Sequence, residues 1–122
     1  LLEKSDFISL HCPGGDENHH LISTKQFEKM KNSAILVNTA RGEVVDDTAL
    51  ISALETKQIA AVGLDVFNNE PNINPNLIKF ENAILLPHLG SATQETREAM
   101  GFRVLDNIAD FFEGKIPRDK VA

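Results

Sequence analysis

Three side chains of different chemistry stand at positions where, acting together, they would handle a small carboxylic acid. Arg41 follows Asn38-Thr39-Ala40 and precedes Gly42. Among such small residues a guanidinium can grip a carboxylate through two parallel hydrogen bonds. His88 follows Pro87, just beyond the apolar run Ala83-Ile84-Leu85-Leu86, and imidazole gives and takes protons near neutral pH. Glu70, beside Pro71, can serve that imidazole as a carboxylate partner and favour its charged form. Taken singly, each has an ordinary explanation: a surface ion pair for Arg41, a structural histidine for His88, a solvated loop acid for Glu70.

The remaining reactive residues say less. His11, His19 and His20 suggest a metal, but adjacent histidines do not easily place both rings on one ion. No cysteine or carboxylate cluster completes a four-ligand set around them. Cys12 has no paired base in a suitable order, so a packing or ligand-lining role fits it better than a reactive thiol. Gly14-Gly15 is too short to cradle a phosphate, and no Gly-x-Gly-x-x-Gly occurs anywhere in the chain.

The elements that must position these groups follow from the apolar pattern. Phe7-Ile8-Ser9-Leu10, Ala34-Ile35-Leu36-Val37, Ala60-Ala61-Val62-Gly63-Leu64 and Ala83-Ile84-Leu85-Leu86 are short continuous runs. They predict strands covered on both sides in a parallel sheet. Between them lie helical patterns: one capped by Ser23 or Thr24 and running through Phe27 and Met30, another capped by Asp46 or Asp47 with a Leu50, Ile51, Leu54 stripe. Residues 68–82 contain Pro71 and Pro75 and predict a loop with one turn near Leu77. A long helix is expected from about Ala92 to Glu113, its buried side marked by Met100, Val104, Ile108, Phe111 and Phe112, with Gly114 as its cap. Strand alternating with helix predicts right-handed crossovers and an α/β sheet with helices on both faces. All four strand ends then share one edge, which is where open α/β sheets bind ligands. Arg41, Asp65 and His88 can converge there.

Composition limits the functions on offer. The 122 residues, 42% of them apolar, suffice for one domain. With 12 basic against 18 acidic side chains and a net charge of −6, a nucleic-acid or anionic-membrane surface is disfavoured. No apolar stretch approaches the roughly 18 residues that span a bilayer. A single cysteine suits a reducing cytoplasm. The chain opens at Leu1 with neither Met nor a signal-peptide pattern, so a piece of a longer protein is expected.

Three stretches in order carry a resemblance. Asn38-Thr39-Ala40-Arg41-Gly42, then Leu64-Asp65-Val66-Phe67-Asn68-Asn69-Glu70-Pro71, then Pro87-His88-Leu89-Gly90-Ser91 resemble the NAD(P)-dependent D-isomer-specific 2-hydroxyacid dehydrogenases. Ser5 to His11 and Gly114-Lys115-Ile116-Pro117 extend the resemblance over essentially the whole chain. It implies the C-terminal part of a doubly wound, Rossmann-type domain over residues 1–113, then a tail at 114–122 returning towards a substrate domain. It also implies NAD or NADP as cofactor and a homodimer as the intact protein. Residue by residue, it implies that Arg41 binds the carboxylate of a 2-keto acid and that His88 protonates the carbonyl oxygen as hydride arrives. Glu70 would orient His88 and keep it protonated. Asp65 would lie near the nicotinamide amide, Thr39 and Ala40 beside its ribose, and Cys12 and Pro13 beside the adenosine half. Arg41 and His88 would also border the cofactor, and Gly90 would let backbone approach it.

Glu70 favours a keto-acid reductase over the related formate dehydrogenases, which resemble this chain but carry Gln there. Pro87 to Thr93 looks most like the glyoxylate or hydroxypyruvate reductases. Gly14-Gly15-Asp16-Glu17-Asn18 departs from the pattern of many relatives at the cofactor edge. The family's glycine-rich turn and most of its substrate domain are expected upstream. The competing function is a non-catalytic NAD(P)-sensing interaction protein of the co-repressor kind, which the same residues allow.

Overall fold

The computed structural model describes residues 1–121, which form two compact units, 1–88 and 89–121. The first holds four parallel strands: β1 (Phe7–Leu10), β2 (Ile35–Asn38), β3 (Ala61–Leu64) and β4 (Ala83–Leu85). They lie in the order β1-β2-β3-β4, each within a residue or two of its predicted run. Register aligns Leu10 with Asn38, Asn38 with Leu64, and Leu64 with Leu85. The four carboxyl ends therefore form one edge.

Two helices connect the first three strands. α1 (Thr24–Phe27) is a single turn, and the chain passes to Met30 in further turns. At its start Gln26 Oε1 accepts the Ser23 N–H at 3.2 Å, and Ser23 Oγ donates to Asp46 Oδ2 at 2.9 Å. α2 (Asp47–Glu55) is capped by Asp46, whose Oδ1 accepts the Thr48 and Ala49 N–H groups at 3.0 and 3.2 Å. Leu50, Ala53 and Leu54 form its buried stripe, while Ile51 is only partly covered. The β3–β4 connection is loop with one 3-10 turn, Leu77–Lys79, whose Leu77 is buried.

Within this unit the strands are covered on one face and not, as the apolar runs predict, on both. Ile8, Leu10, Leu36, Val62 and Leu64 are buried in one cluster with Phe27, Met30, Leu50, Leu54 and Leu77. The alternate residues Phe7, Ser9, Ile35, Val37, Ala61 and Gly63 are exposed or only half-covered. Topology explains it. Right-handed crossovers between strands laid down in one direction all fall on the same face, and cover of the second face needs a reversal of strand order. Phe7 is accordingly 72% exposed on edge strand β1, whereas Ile8 is 5% exposed because it points into the cluster.

In the second unit, α3 (Gln94–Phe112) starts at Thr93, whose hydroxyl accepts the Thr96 N–H at 3.2 Å. It ends as the sequence predicts: Gly114 at φ 73° donates to Phe111 O and Lys115 N–H to Asp110 O, which closes the last carbonyls. The tail then returns along the helix by charge. Arg103 pairs with Asp119 through Nε and Nη2 at 2.7 and 2.8 Å, Arg118 reaches Asp106 and Asp110, and Asn107 donates to Asp119. These contacts hold the Asp119 carboxyl down at about 2. The predicted buried side is not buried. Met100, Val104, Ile108, Phe111 and Phe112 are all exposed, because this unit is one helix and a tail bound by polar pairs, with no second apolar layer of its own.

Candidate active site

The Arg41 loop is built by Asn38, a residue with no predicted role of its own. Asn38 ends β2 with its side chain on the buried face, 1% exposed. A buried amide must pair all its polar atoms, and this one does so locally. Its Oδ1 accepts the Ala40 N–H and its Nδ2 donates to Arg41 O, both at 3.0 Å. The chain is thereby turned so that Arg41 stands out of the sheet edge, exposed, with Nη1 donating to Ala40 O at 2.6 Å. Gly42 follows because nothing larger fits: a Cβ there would run into the backbone of Phe67 and Asn68 at the end of β3. Asn68 Nδ2 completes the junction by donating to Val45 O and Asp47 Oδ1 at 3.2 and 3.0 Å. The signal for Asn38 was legible in principle: a polar residue at the inward position of an otherwise apolar strand needs a partner.

Glu70 and His88 meet across the ends of β3 and β4. Glu70 Oε2 lies 2.8 Å from His88 Nδ1, and Oε1 accepts the Phe67 N–H at 2.9 Å. Both carboxylate oxygens are therefore engaged. The His88 contact is the main reason the Glu70 carboxyl sits below its ordinary range, with the Phe67 N–H and the charge of Arg41 adding to it. His88 holds φ 55°, a left-handed conformation that costs a non-glycine residue about 1–3 kcal/mol and is retained where surroundings fix it.

Two cavities share this pair. The smaller, about 340 Å³, is walled by Phe67, Ile73, Leu85, Leu86 and Pro87 beside Glu70 and His88. The larger, about 610 Å³, is polar and takes in Arg41, Glu43, Asn69, Glu70 and His88. Arg41 and His88, predicted to converge, thus line one space together with Glu70; Asp65, expected to join them, is not among its lining residues. The larger cavity also includes His19 and His20. Their rings stack at 3.9 Å, and His20 Nδ1 lies 3.9 Å from Asp46. Among the described residues, no group of three or more His, Cys, Asp or Glu is arranged to hold a metal.

Cys12, Pro13, Thr39, Ala40 and Asp65 occupy the same sheet edge, in the loops after the first three strands. Cys12 is half-buried and packs against the core, while Pro13 is exposed and its carbonyl accepts Asn18 Nδ2 at 3.0 Å. Thr39 is exposed and Ala40 buried. Asp65 is 7% exposed directly after β3, its N–H bound to Asn38 O at 3.0 Å. Gly90 belongs to the second unit, where it is exposed. No helix among the described residues is long and apolar enough to cross a membrane.

Comparison with known proteins extends this geometry. Residues 1–90 match the family described as D-isomer specific 2-hydroxyacid dehydrogenase, NAD binding domain. A glyoxylate reductase of Thermococcus litoralis is 51% identical over 121 residues, covering 99% of this chain and 37% of that protein. Among solved structures, an NADPH-dependent glyoxylate/hydroxypyruvate reductase from Sinorhizobium meliloti, in complex with NADP and malonate, superposes with TM-score 0.88 at 38% identity. It covers 91% of this chain and 35% of that one. The NAD complex of a D-isomer specific 2-hydroxyacid dehydrogenase from Lactobacillus delbrueckii ssp. bulgaricus gives TM-score 0.88 at 32% identity, over 99% of this chain and 41% of that one. The chain thus spans well under half the length of the relatives it matches.

Proposed function

Because the chain belongs to the D-isomer specific 2-hydroxyacid dehydrogenase family through its NAD-binding domain, we propose that it carries the acid–base and carboxylate-binding half of an NAD(P)H-dependent 2-keto acid reductase. Its substrates are of the glyoxylate or hydroxypyruvate type. The observation that carries the proposal is the 2.8 Å contact of His88 with Glu70 on the wall of a cavity that Arg41 also lines.

The residues at the sheet edge suit a dinucleotide. Small Thr39 and Ala40, half-buried Cys12 beside Pro13, and buried Asp65 follow three adjacent strand ends, where a flat ring system can lie and an acidic group can accept from its carboxamide. In this reading Cys12 and Pro13 border the adenosine half, Thr39 and Ala40 the ribose, and Asp65 the nicotinamide. The pyrophosphate turn is not among these residues, since the chain holds no Gly-x-Gly-x-x-Gly. Bound NAD(P)H supplies hydride to the carbonyl carbon.

The chain's own groups do the rest. Arg41 holds the substrate carboxylate with the N–H groups not given to Ala40 O, which fixes the carbonyl and places positive charge near it. His88 donates a proton from Nε2 to the carbonyl oxygen as negative charge develops there. Glu70 accepts from Nδ1–H, which sets the ring's orientation and leaves Nε2 to hold the transferred proton. The balance is one keto acid, one NAD(P)H and one proton giving the 2-hydroxy acid and NAD(P)⁺. In oxidation His88 takes the proton back. The tail at 114–122 leads towards a substrate-closing domain, and the intact protein works as a homodimer in the cytoplasm.

The test is NAD(P)H consumption by the intact protein with glyoxylate and hydroxypyruvate. Turnover with either supports the proposal. Tight NAD(P)H binding with no turnover on any short 2-keto acid would replace it with the dinucleotide-sensing interaction protein.

A further inference from the structure

We propose that Glu43 is a positioning residue which ties the loop after β1 to the loop after β2 and thereby sets the placement of Arg41; this rests on the role given to Arg41 above. Glu43 Oε1 accepts the Gly15 N–H at 2.6 Å. A Cβ on Gly14 would run into that same oxygen and come within 3.1 Å of Arg41 Cγ. The space a side chain at position 14 would fill is therefore taken by the Glu43 carboxylate and the Arg41 stem. The backbone carries the connection further along. His20 N–H donates to Glu43 O at 2.8 Å, Ile22 N–H to Val44 O at 3.0 Å, and Asp46 N–H to Ile22 O at 2.9 Å.

The arrangement has two consequences for Arg41. An arginine whose stem lies beside the Gly14 backbone loses less rotamer freedom when its guanidinium binds a carboxylate. Glu43 is also the acid nearest Arg41 in sequence, and a loose carboxylate there would compete with the substrate for the same N–H groups. Its bond to Gly15 keeps it turned to the β1 loop. The Gly14-Gly15 pair, the local departure from the family pattern, thus has a counterpart in Glu43.

Steady-state kinetics on the intact protein test this, reading KM for the keto acid against kcat. Glu43→Ala is expected to raise KM about fivefold with kcat changed less than about twofold, whereas Glu43→Gln, which keeps an oxygen for Gly15 N–H, stays within about twofold in both. Gly14→Ala should raise KM about fivefold with Glu43 present and by less than about twofold in the Glu43→Ala background, since the nearer of its two close neighbours is gone. A KM unmoved by Glu43→Ala, Glu43→Gln as impaired as Glu43→Ala, or an equal Gly14→Ala effect in both backgrounds overturns the inference while wild-type turnover stands. Should Gly14→Ala fail to fold, the two Glu43 variants decide alone. A wild type with no keto-acid reduction overturns the proposed function, and the positioning role with it.

Discussion

Replacing Asn38 with Ala should weaken both the fold and substrate binding, although Asn38 touches neither cavity. The side chain is 1% exposed and makes two bonds of 3.0 Å, one from Ala40 N–H and one to Arg41 O. Each such bond contributes about 1 kcal/mol net, and a buried N–H left without a partner costs about 1–3 kcal/mol. Ala40 is itself buried, so water reaches its N–H poorly. Together these terms predict a loss of about 2–4 kcal/mol, read from urea unfolding of the intact protein at unchanged slope. Loosening the Arg41 loop should also raise KM for the keto acid more than it lowers kcat. Asn38→Asp is the informative companion. It keeps the acceptor for Ala40 N–H but sets a carboxylate against Arg41 O, so it should be no more stable than Asn38→Ala. A loss under about 0.5 kcal/mol for Asn38→Ala, the range of an ordinary surface substitution, would refute the reasoning.

Two further outcomes follow from the same junction. Gly42→Ala would push a methyl into the Phe67 and Asn68 backbone, with an expected loss of about 3 kcal/mol by urea unfolding because backbone gives way poorly. Glu70 carries a lowered pKa, chiefly through His88. A carboxyl held below its unfolded value stabilises the fold above that value and loses the effect as pH falls through the folded one. The stability gap between wild type and Glu70→Gln should therefore be full above the ordinary value of 4.5 and close as the solution is made more acidic; a gap that widens in acid would contradict this.

Much of the fold was legible because parallel strands are short, continuous apolar runs, and the residues after them could be named without knowing how the sheet was wound. Arg41 and His88 stand after the second and fourth runs, and the 3-10 turn at Leu77 fell inside the predicted loop. Winding was harder to read. Ile35 and Val37 look as apolar as Leu36, yet only Leu36 is fully buried, since an apolar run does not say which face the crossovers cover. For α3 the 3.6-residue pattern identified Met100, Val104 and Ile108 as one stripe, but a stripe does not state what it packs against. Glu43 acts through the backbone of a residue distant in sequence and through a neighbour's missing side chain. Spacing alone cannot disclose such contacts.

The central claim is that His88, held by Glu70, moves the proton. It is tested most directly by single-turnover keto-acid reduction in His88→Gln of the intact protein, at saturating NAD(P)H. The account predicts a rate lower by about 10²–10⁴, with NAD(P)H affinity changed by less than about twofold. A variant that keeps most of the wild-type rate would contradict it.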